Sequence, residues 1–282
     1  MEWKIVHIAE TDSTNRWLRD HEHSTFGRLQ SKNSPHDHEC STFGRLQSKP
    51  RPHAPVVVVA DYQTAGRGCG TNTWESERGQ NLLFSMLVHP TDLPANRQFH
   101  ISMAVSVAIV NTLSSYLSPL TSFPSRTRLP VAFHLPPLSI KWPNDIYVGD
   151  RKICGILIEN HLQGSCIKDS IIGVGLNVNQ LRFVSDAPNP VSLANLTGQI
   201  FDREQLLQQL LEAFDAEWTD LDGVRSRYLP QLYRRTGFHR YRDALSEFLA
   251  ELVTVKDEGH LLLRNIDGYT HRYAFKEVQF VI

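Results

Sequence analysis

The chain is poor in cysteine. Four thiols in 282 residues, Cys40, Cys69, Cys154 and Cys166, contain no C-x-x-C pair. That spacing supplies neither a disulfide framework nor a zinc knuckle, so reduced thiols in a cytoplasmic protein are expected. An excess of one charge is lacking too: 29 basic and 30 acidic residues leave a net −1. This excludes a basic stripe for a nucleic-acid backbone and an acidic solvating tail, although a local cationic pocket stays open. Long apolar runs are absent. The longest, Val56 to Ala60, is far short of the roughly 20 residues of a membrane span. The opening Met1-Glu2-Trp3-Lys4 carries an acid and no apolar leader core. Neither a membrane nor a nucleic acid is an expected partner.

What is present can bury a core. Hydrophobic residues make up 41% and charged ones 21%, enough for one large domain or a large one plus a small one. Residues 3–8 predict a strand, and Thr11-Asp12-Ser13-Thr14-Asn15 offers several caps for a helix carrying Trp17 and Leu18. The β-branched run Val56-Val57-Val58-Val59 suits a strand covered on both faces. Residues 81–88 predict another strand, and the spacing of Ile101, Val105, Ala108, Ile109 and Leu113 predicts a helix over 97–117. Two strands are expected around Lys141 and Ile156, joined by a turn at Val148-Gly149-Asp150-Arg151. A strand over 171–178 carries glycines, which suggests a ligand near the backbone. Asp202 is placed to cap a helix to about Leu221. From about Thr236 the pattern shortens to β segments at 251–256, 260–265 and 271–281, a barrel-like unit of about 45 residues. The expected division is 1–233 and 234–282.

Ser24-Thr25-Phe26-Gly27-Arg28-Leu29-Gln30-Ser31-Lys32 returns letter for letter from Ser41 to Lys49. Two polar copies are too few for a solenoid, so a duplicated surface insertion over 21–54 is expected. His21, His23, His36 and His38 gather there with Asp37, Glu39 and Cys40. Solvated side chains are the simpler reading of such a polar loop than a metal site. Residues 119–137, rich in proline and serine, read as exposed loop.

Three constellations carry chemistry. Gln63-Thr64-Ala65-Gly66-Arg67-Gly68-Cys69-Gly70 follows the valine strand, with Trp74 just beyond. Its glycines let backbone amides face an anion, Arg67 adds a cationic fork, and Trp74 could cover an aromatic ring. A flexible turn is the plainer alternative. The pattern is neither a Walker A loop nor a dinucleotide fingerprint. The second run, Lys141-Trp142-Pro143-Asn144-Asp145, precedes Lys152, Gly155 and Glu159. Lysines for phosphate oxygens and carboxylates for a metal or a lysine suit a magnesium nucleotide, against a bland hairpin with solvated lysines. Pro143 removes a ladder donor, marking a bulge or an edge. The third, Gly173-Val174-Gly175-Leu176-Asn177, leaves a slot on one strand face with an amide on the other parity.

In these motifs the chain resembles the biotin–protein ligases. Ser13-Thr14-Asn15, Gln63 with Gly66-Arg67-Gly68 and Trp74, the Lys141–Asp145 run, Lys152 before Gly155-Ile156-Leu157, and Gly173-x-Gly175-x-Asn177 all appear in order. The resemblance implies an α+β fold: a class II aminoacyl-tRNA synthetase-like mixed sheet with flanking helices, and an SH3-like C-terminal barrel. It implies ATP-dependent formation of biotinyl-5'-AMP and transfer of biotin to a lysine of a carboxylase's biotin carboxyl carrier domain. ATP, Mg²⁺ and biotin are the implied cofactor and substrates. Ser13, Thr14, Asn15, Gln63, Gly66, Arg67, Gly68, Cys69, Lys152, Gly155, Gly173 and Gly175 would surround biotin. Trp74, Lys141, Asn144 and Asn177 would take the nucleotide. Lys152, Arg67 and Asp145 would carry the chemistry, with Asp145 near Mg²⁺.

Two departures stand out. Many members carry further basic residues after the Gly-Arg-Gly, whereas Cys69-Gly70-Thr71-Asn72-Thr73 has none, predicting weaker retention of the adenylate. The stretch near 21–54 is also longer than relatives need. Its deletion over 22–53 is expected to leave activity intact. A lipoate–protein ligase shares the implied fold, but the Lys141–Asp145 run argues against it. A biotin-sensing regulator with an N-terminal DNA-binding unit finds no expected room before Ser13.

Overall fold

The computed structural model describes residues 1–26, 54–70, 72–117, 136–184 and 189–282, with 22–26 described for the backbone. The second copy of the repeat, His36, His38, Cys40 and most of 119–137 lie outside the described residues.

Seven strands form a mixed sheet in the order β1-β2-β3-β7-β6-β5-β4. They are β1 (Lys4–Thr11), β2 (Val56–Gln63), β3 (Leu82–Val88), β4 (Leu138–Lys141), β5 (Asp145–Val148), β6 (Arg151–Gln163) and β7 (Cys166–Leu176). Only β1 and β2 pair in parallel; the other neighbours are antiparallel. The valine run explains the layering. Its side chains alternate, so Val56 and Val58 face helix α1 (Thr14–Phe26) with Leu18 and Leu87, while Val57 and Val59 join the larger core on the opposite face.

That larger core is built on helix α2 (Phe99–Leu117), buried over most of its length. Its length and apolarity alone would let it cross a membrane, but here those side chains meet the sheet and helix α4 (Arg203–Thr219). As expected, Asp202 caps α4, accepting from the backbone N–H of Glu204 at 2.8 Å and Gln205 at 3.2 Å. Two short helices, α3 (Leu193–Thr197) and α5 (Val224–Tyr228), were not anticipated; a Ser192–Asn195 capping box starts α3.

A second, antiparallel sheet runs β11-β10-β9-β8-β12. Its strands are β8 (Phe238–Arg242), β9 (Glu247–Val255), β10 (Leu261–Asn265), β11 (Thr270–Tyr273) and β12 (Gln279–Phe280). The expected run 271–281 is two strands parted by a turn at 274–278, and β8 escapes the sequence pattern because Tyr241 is its one buried residue. The strand expected around Lys141 is likewise two, since Trp142–Asn144 is a turn that pairs Lys141 with Asp145. The Trp142–Pro143 peptide there is cis.

This turn is what the second sheet grips. Trp142 Nε1 donates to the Gly259 carbonyl at 2.9 Å, and the Phe275 ring meets the indole edge-on with centroids 6.5 Å apart. Arg225 of α5 also donates to the Val255 carbonyl and to Thr254 Oγ1. One end of the first sheet therefore opens toward residues of the second.

Candidate active site

A cavity of about 600 Å³ opens where β6 and β7 meet the Gly66–Trp74 loop and the 275–280 segment, within the range of small-molecule sites. At one end, Ser13, Thr14 and Asn15 begin α1 and are almost wholly buried. Gln63 Oε1 accepts from the Thr14 backbone N–H at 2.8 Å and lies 3.1 Å from its hydroxyl. Ser85 Oγ stands 2.7 Å from Thr14 Oγ1 and 2.6 Å from Asn15 Oδ1. Asn15 Nδ2 donates to Glu159 at 2.8 Å. The result is a buried, polar nook whose groups hold one another in fixed orientations.

Beyond it the floor is backbone. Gly155 of β6 and Gly175 of β7 are direct cross-strand partners. The Trp74 indole lies on them: a β-carbon on Gly155 would come within 2.9 Å of the ring, and one on Gly175 would overlap it. A β-carbon on Gly173 would overlap Asn15 instead. These glycines are required by close approach. Among the described residues, buried Trp74 Nε1 has no hydrogen-bond partner, a donor free for a ligand acceptor.

The opposite wall is charged. Lys152, near the start of β6, is fixed by backbone hydrogen bonds to Asn189 and Val191. Its ammonium sits 2.7 Å from Asp145 Oδ1 and 5.6 Å from the centre of a Trp74 ring. Lys141 Nζ stands 5.1 Å from the ring centres of both Tyr147 and Phe280. Burial pulls the pKa of Lys141 down, Lys152 and Arg234 add to the effect, and Asp145 opposes it. Asn144 Nδ2 donates to the Ile156 carbonyl at 2.5 Å.

The loop itself folds back. Gly68 N–H donates to the Asn72 carbonyl and Trp74 N–H to the Gly66 carbonyl, with Arg67 bridged to Thr73. Arg67 Nη1 lies 3.5 Å from Glu159 Oε1, which Arg19 also meets at 2.7 Å. Among the described residues no cluster of three or more His, Cys, Asp or Glu side chains could cage a metal ion. Asp145 is the carboxylate in the cavity, a donor set suited to Mg²⁺ carried on substrate phosphates.

Most of the sequence-predicted residues thus line one cavity: Ser13, Thr14, Asn15, Gln63, Arg67, Gly68, Cys69, Trp74, Lys141, Asn144, Asp145, Lys152, Gly155, Gly173 and Gly175. Gly66 and Asn177 do not. Gly66 sits against the Trp74 carbonyl, where a β-carbon would come within 2.6 Å. Asn177 is buried, its Nδ2 donating to the Val191 carbonyl at 3.1 Å while Oδ1 has no partner among the described residues. Sequence reasoning missed Ser85, Phe280 and Lys276. Ser85 left a signal as the one polar residue in Leu82–Val88; the other two come from a distant turn and strand with no local mark.

The profile of the biotin/lipoate A/B protein ligase family matches residues 32–177, and the chain belongs to that family. It is 28% identical over 228 residues to the "Bifunctional ligase/repressor BirA" of Bacillus spizizenii, covering 77% of this chain and 64% of that protein. It thus spans a little under two thirds of that relative's length. The "Biotin--[acetyl-CoA-carboxylase] ligase" of Paracoccus denitrificans is 26% identical over 220 residues, 75% of this chain and 85% of the relative. Among solved structures, the biotin protein ligase of Aquifex aeolicus in complex with biotin and ATP superposes with a TM-score of 0.66 at 20% identity, covering 99% of both chains. That likeness shows the fold: the expected mixed sheet with flanking helices, and a C-terminal antiparallel sheet compatible with the SH3-like expectation.

Proposed function

We propose that the protein is an ATP-dependent biotin–protein ligase that makes biotinyl-5'-AMP and passes biotin to a lysine of a biotin carboxyl carrier domain. The observation that carries this reading is one cavity with a buried polar nook at one end and the Lys152–Asp145 pair at the other, joined by a glycine floor. The nook formed by Thr14, Asn15, Gln63 and Ser85 suits the ureido head of biotin, whose donors and acceptor need fixed partners. The glycine pair suits its thin valeryl tail. The carboxylate then arrives beside Lys152.

Activation brings two anions together, a carboxylate and the α-phosphate of ATP. Lys152 would neutralise charge developing on the phosphoryl oxygens, and Asp145 holds that ammonium in place beforehand. Asp145 would be the carboxylate to hold Mg²⁺ carried on the phosphates, which would supply further charge neutralisation there. Trp74 would cover the mixed anhydride and keep water from it. Residues 1–233 form the catalytic unit in this reading, and 234–282 contribute one wall of its site. The three described cysteines, Cys69, Cys154 and Cys166, are free, in keeping with a cytoplasmic enzyme.

The test is incubation with ATP, Mg²⁺, biotin and a carrier domain, scored by the mass of the carrier. A biotinyl adduct is expected. An adduct with lipoate in place of biotin would overturn the substrate assignment.

A further inference from the structure

The Gly-Arg-Gly loop continues through five residues without a cation. The structure brings one to it from elsewhere. Lys276 lies in the turn between β11 and β12, and its ammonium rests on Gly70: a β-carbon there would overlap Lys276 Nζ. Gly70 has a φ of +73°, so glycine is favoured on two counts.

The backbone at Lys276 is anchored on both sides. On one side Phe275 packs against Trp142; on the other, Val278 is buried. Its φ of 71° is one that side chains other than glycine adopt only at a cost. Glu277, the adjacent acid, accepts from the Ala274 N–H at 2.6 Å. The Lys276 side chain lines the same cavity as Lys152, Asp145 and Trp74. Burial pushes the Cys69 thiol up, and the Lys276 charge is foremost among the groups pulling it back.

We propose that Lys276 supplies, from the C-terminal sheet, the cation that the Cys69–Thr73 stretch lacks, and that it retains the acyl-adenylate by contacting its phosphate. This rests on the ligase reading above. Glycine at position 276 would relieve the backbone while removing the charge, so Lys276→Gly separates retention from folding.

The experiment forms biotinyl-adenylate from biotin and ATP on the full chain and follows its release. Lys276→Gly is expected to release it roughly tenfold faster, the scale of one lost charge-assisted contact, with thermal stability unchanged or raised. Lys276→Arg should stay near wild type. Cys69→Arg should restore retention in the Lys276→Gly background. Equal release from wild type and Lys276→Gly would overturn the inference while leaving the ligase reading intact. A wild type that forms no adenylate would overturn both.

Discussion

Lys152 sits 2.7 Å from Asp145, and both side chains are about a quarter exposed. At that exposure the pair adds little to stability, so its use is to hold a cation where charge develops. Lys152→Ala should lower adenylate formation by roughly 10²–10³-fold, the scale of a lost oxyanion donor, with an unchanged far-ultraviolet circular dichroism spectrum. An effect confined to a raised KM for ATP would assign Lys152 to binding alone. Ser85 makes a different case. It is wholly buried and has one proton to share between Thr14 and Asn15. Removing it leaves buried acceptors short of a partner, so Ser85→Ala should cost about 1–3 kcal/mol in unfolding free energy and raise the KM for biotin. Calorimetry and initial rates read the two effects separately.

Between elements, the turn Trp142–Asn144 is the contact through which the second sheet reaches the cavity. Gly259 receives the Trp142 hydrogen bond at a φ of +93°, and a β-carbon there would come within 2.7 Å of the Phe99 ring. Gly259→Ala should therefore destabilise by more than about 1 kcal/mol and raise the KM for ATP, since Phe280 and Lys276 would shift with the sheet. A melting temperature equal to wild type would refute this packing argument. Elements with strong local patterns were legible in the sequence: the valine run of β2, the apolar stripe of α2, the Asp202 cap of α4. The three-residue turn at Trp142 was not, because a proline inside an apolar run reads equally as a bulge or an edge. Nor was β8, whose alternation offers one buried side chain. The glycines were read as room for a ligand, and two of the three sites prove to be covered by Trp74 itself. Sequence could not show this, because the loop's fold-back sets where Trp74 lands. Lys276 and Phe280 had no local signal at all; only tertiary folding places them.

For the molecule as a whole, the tyrosines around the second sheet set an alkaline limit. Burial pushes Tyr233, Tyr241 and Tyr273 up from 10.0 to about 12, aided at Tyr233 and Tyr273 by the carboxylates of Asp150 and Asp243. The folded chain thus holds these protons more tightly than the unfolded one. Their contribution to stability is intact below about pH 10 and is lost as the pH rises through about 12. Titration by tyrosinate absorbance should show these groups ionising together with loss of fold. Ionisation at the pH of free tyrosine, with the fold retained, would contradict the burial.

Trp74 has one further consequence. Its indole lies on the Gly155–Gly175 pair with Nε1 unpartnered, so a tail laid along that floor must lift the ring away or slide beneath it. Either way the surroundings of one chromophore change abruptly from peptide carbon to ligand or solvent. The emission of Trp74 should shift on binding in proportion to the fraction of sites filled. A Trp74→Phe variant, compared with wild type, isolates that signal from the other four tryptophans. The chain thus carries its own optical gauge of occupancy.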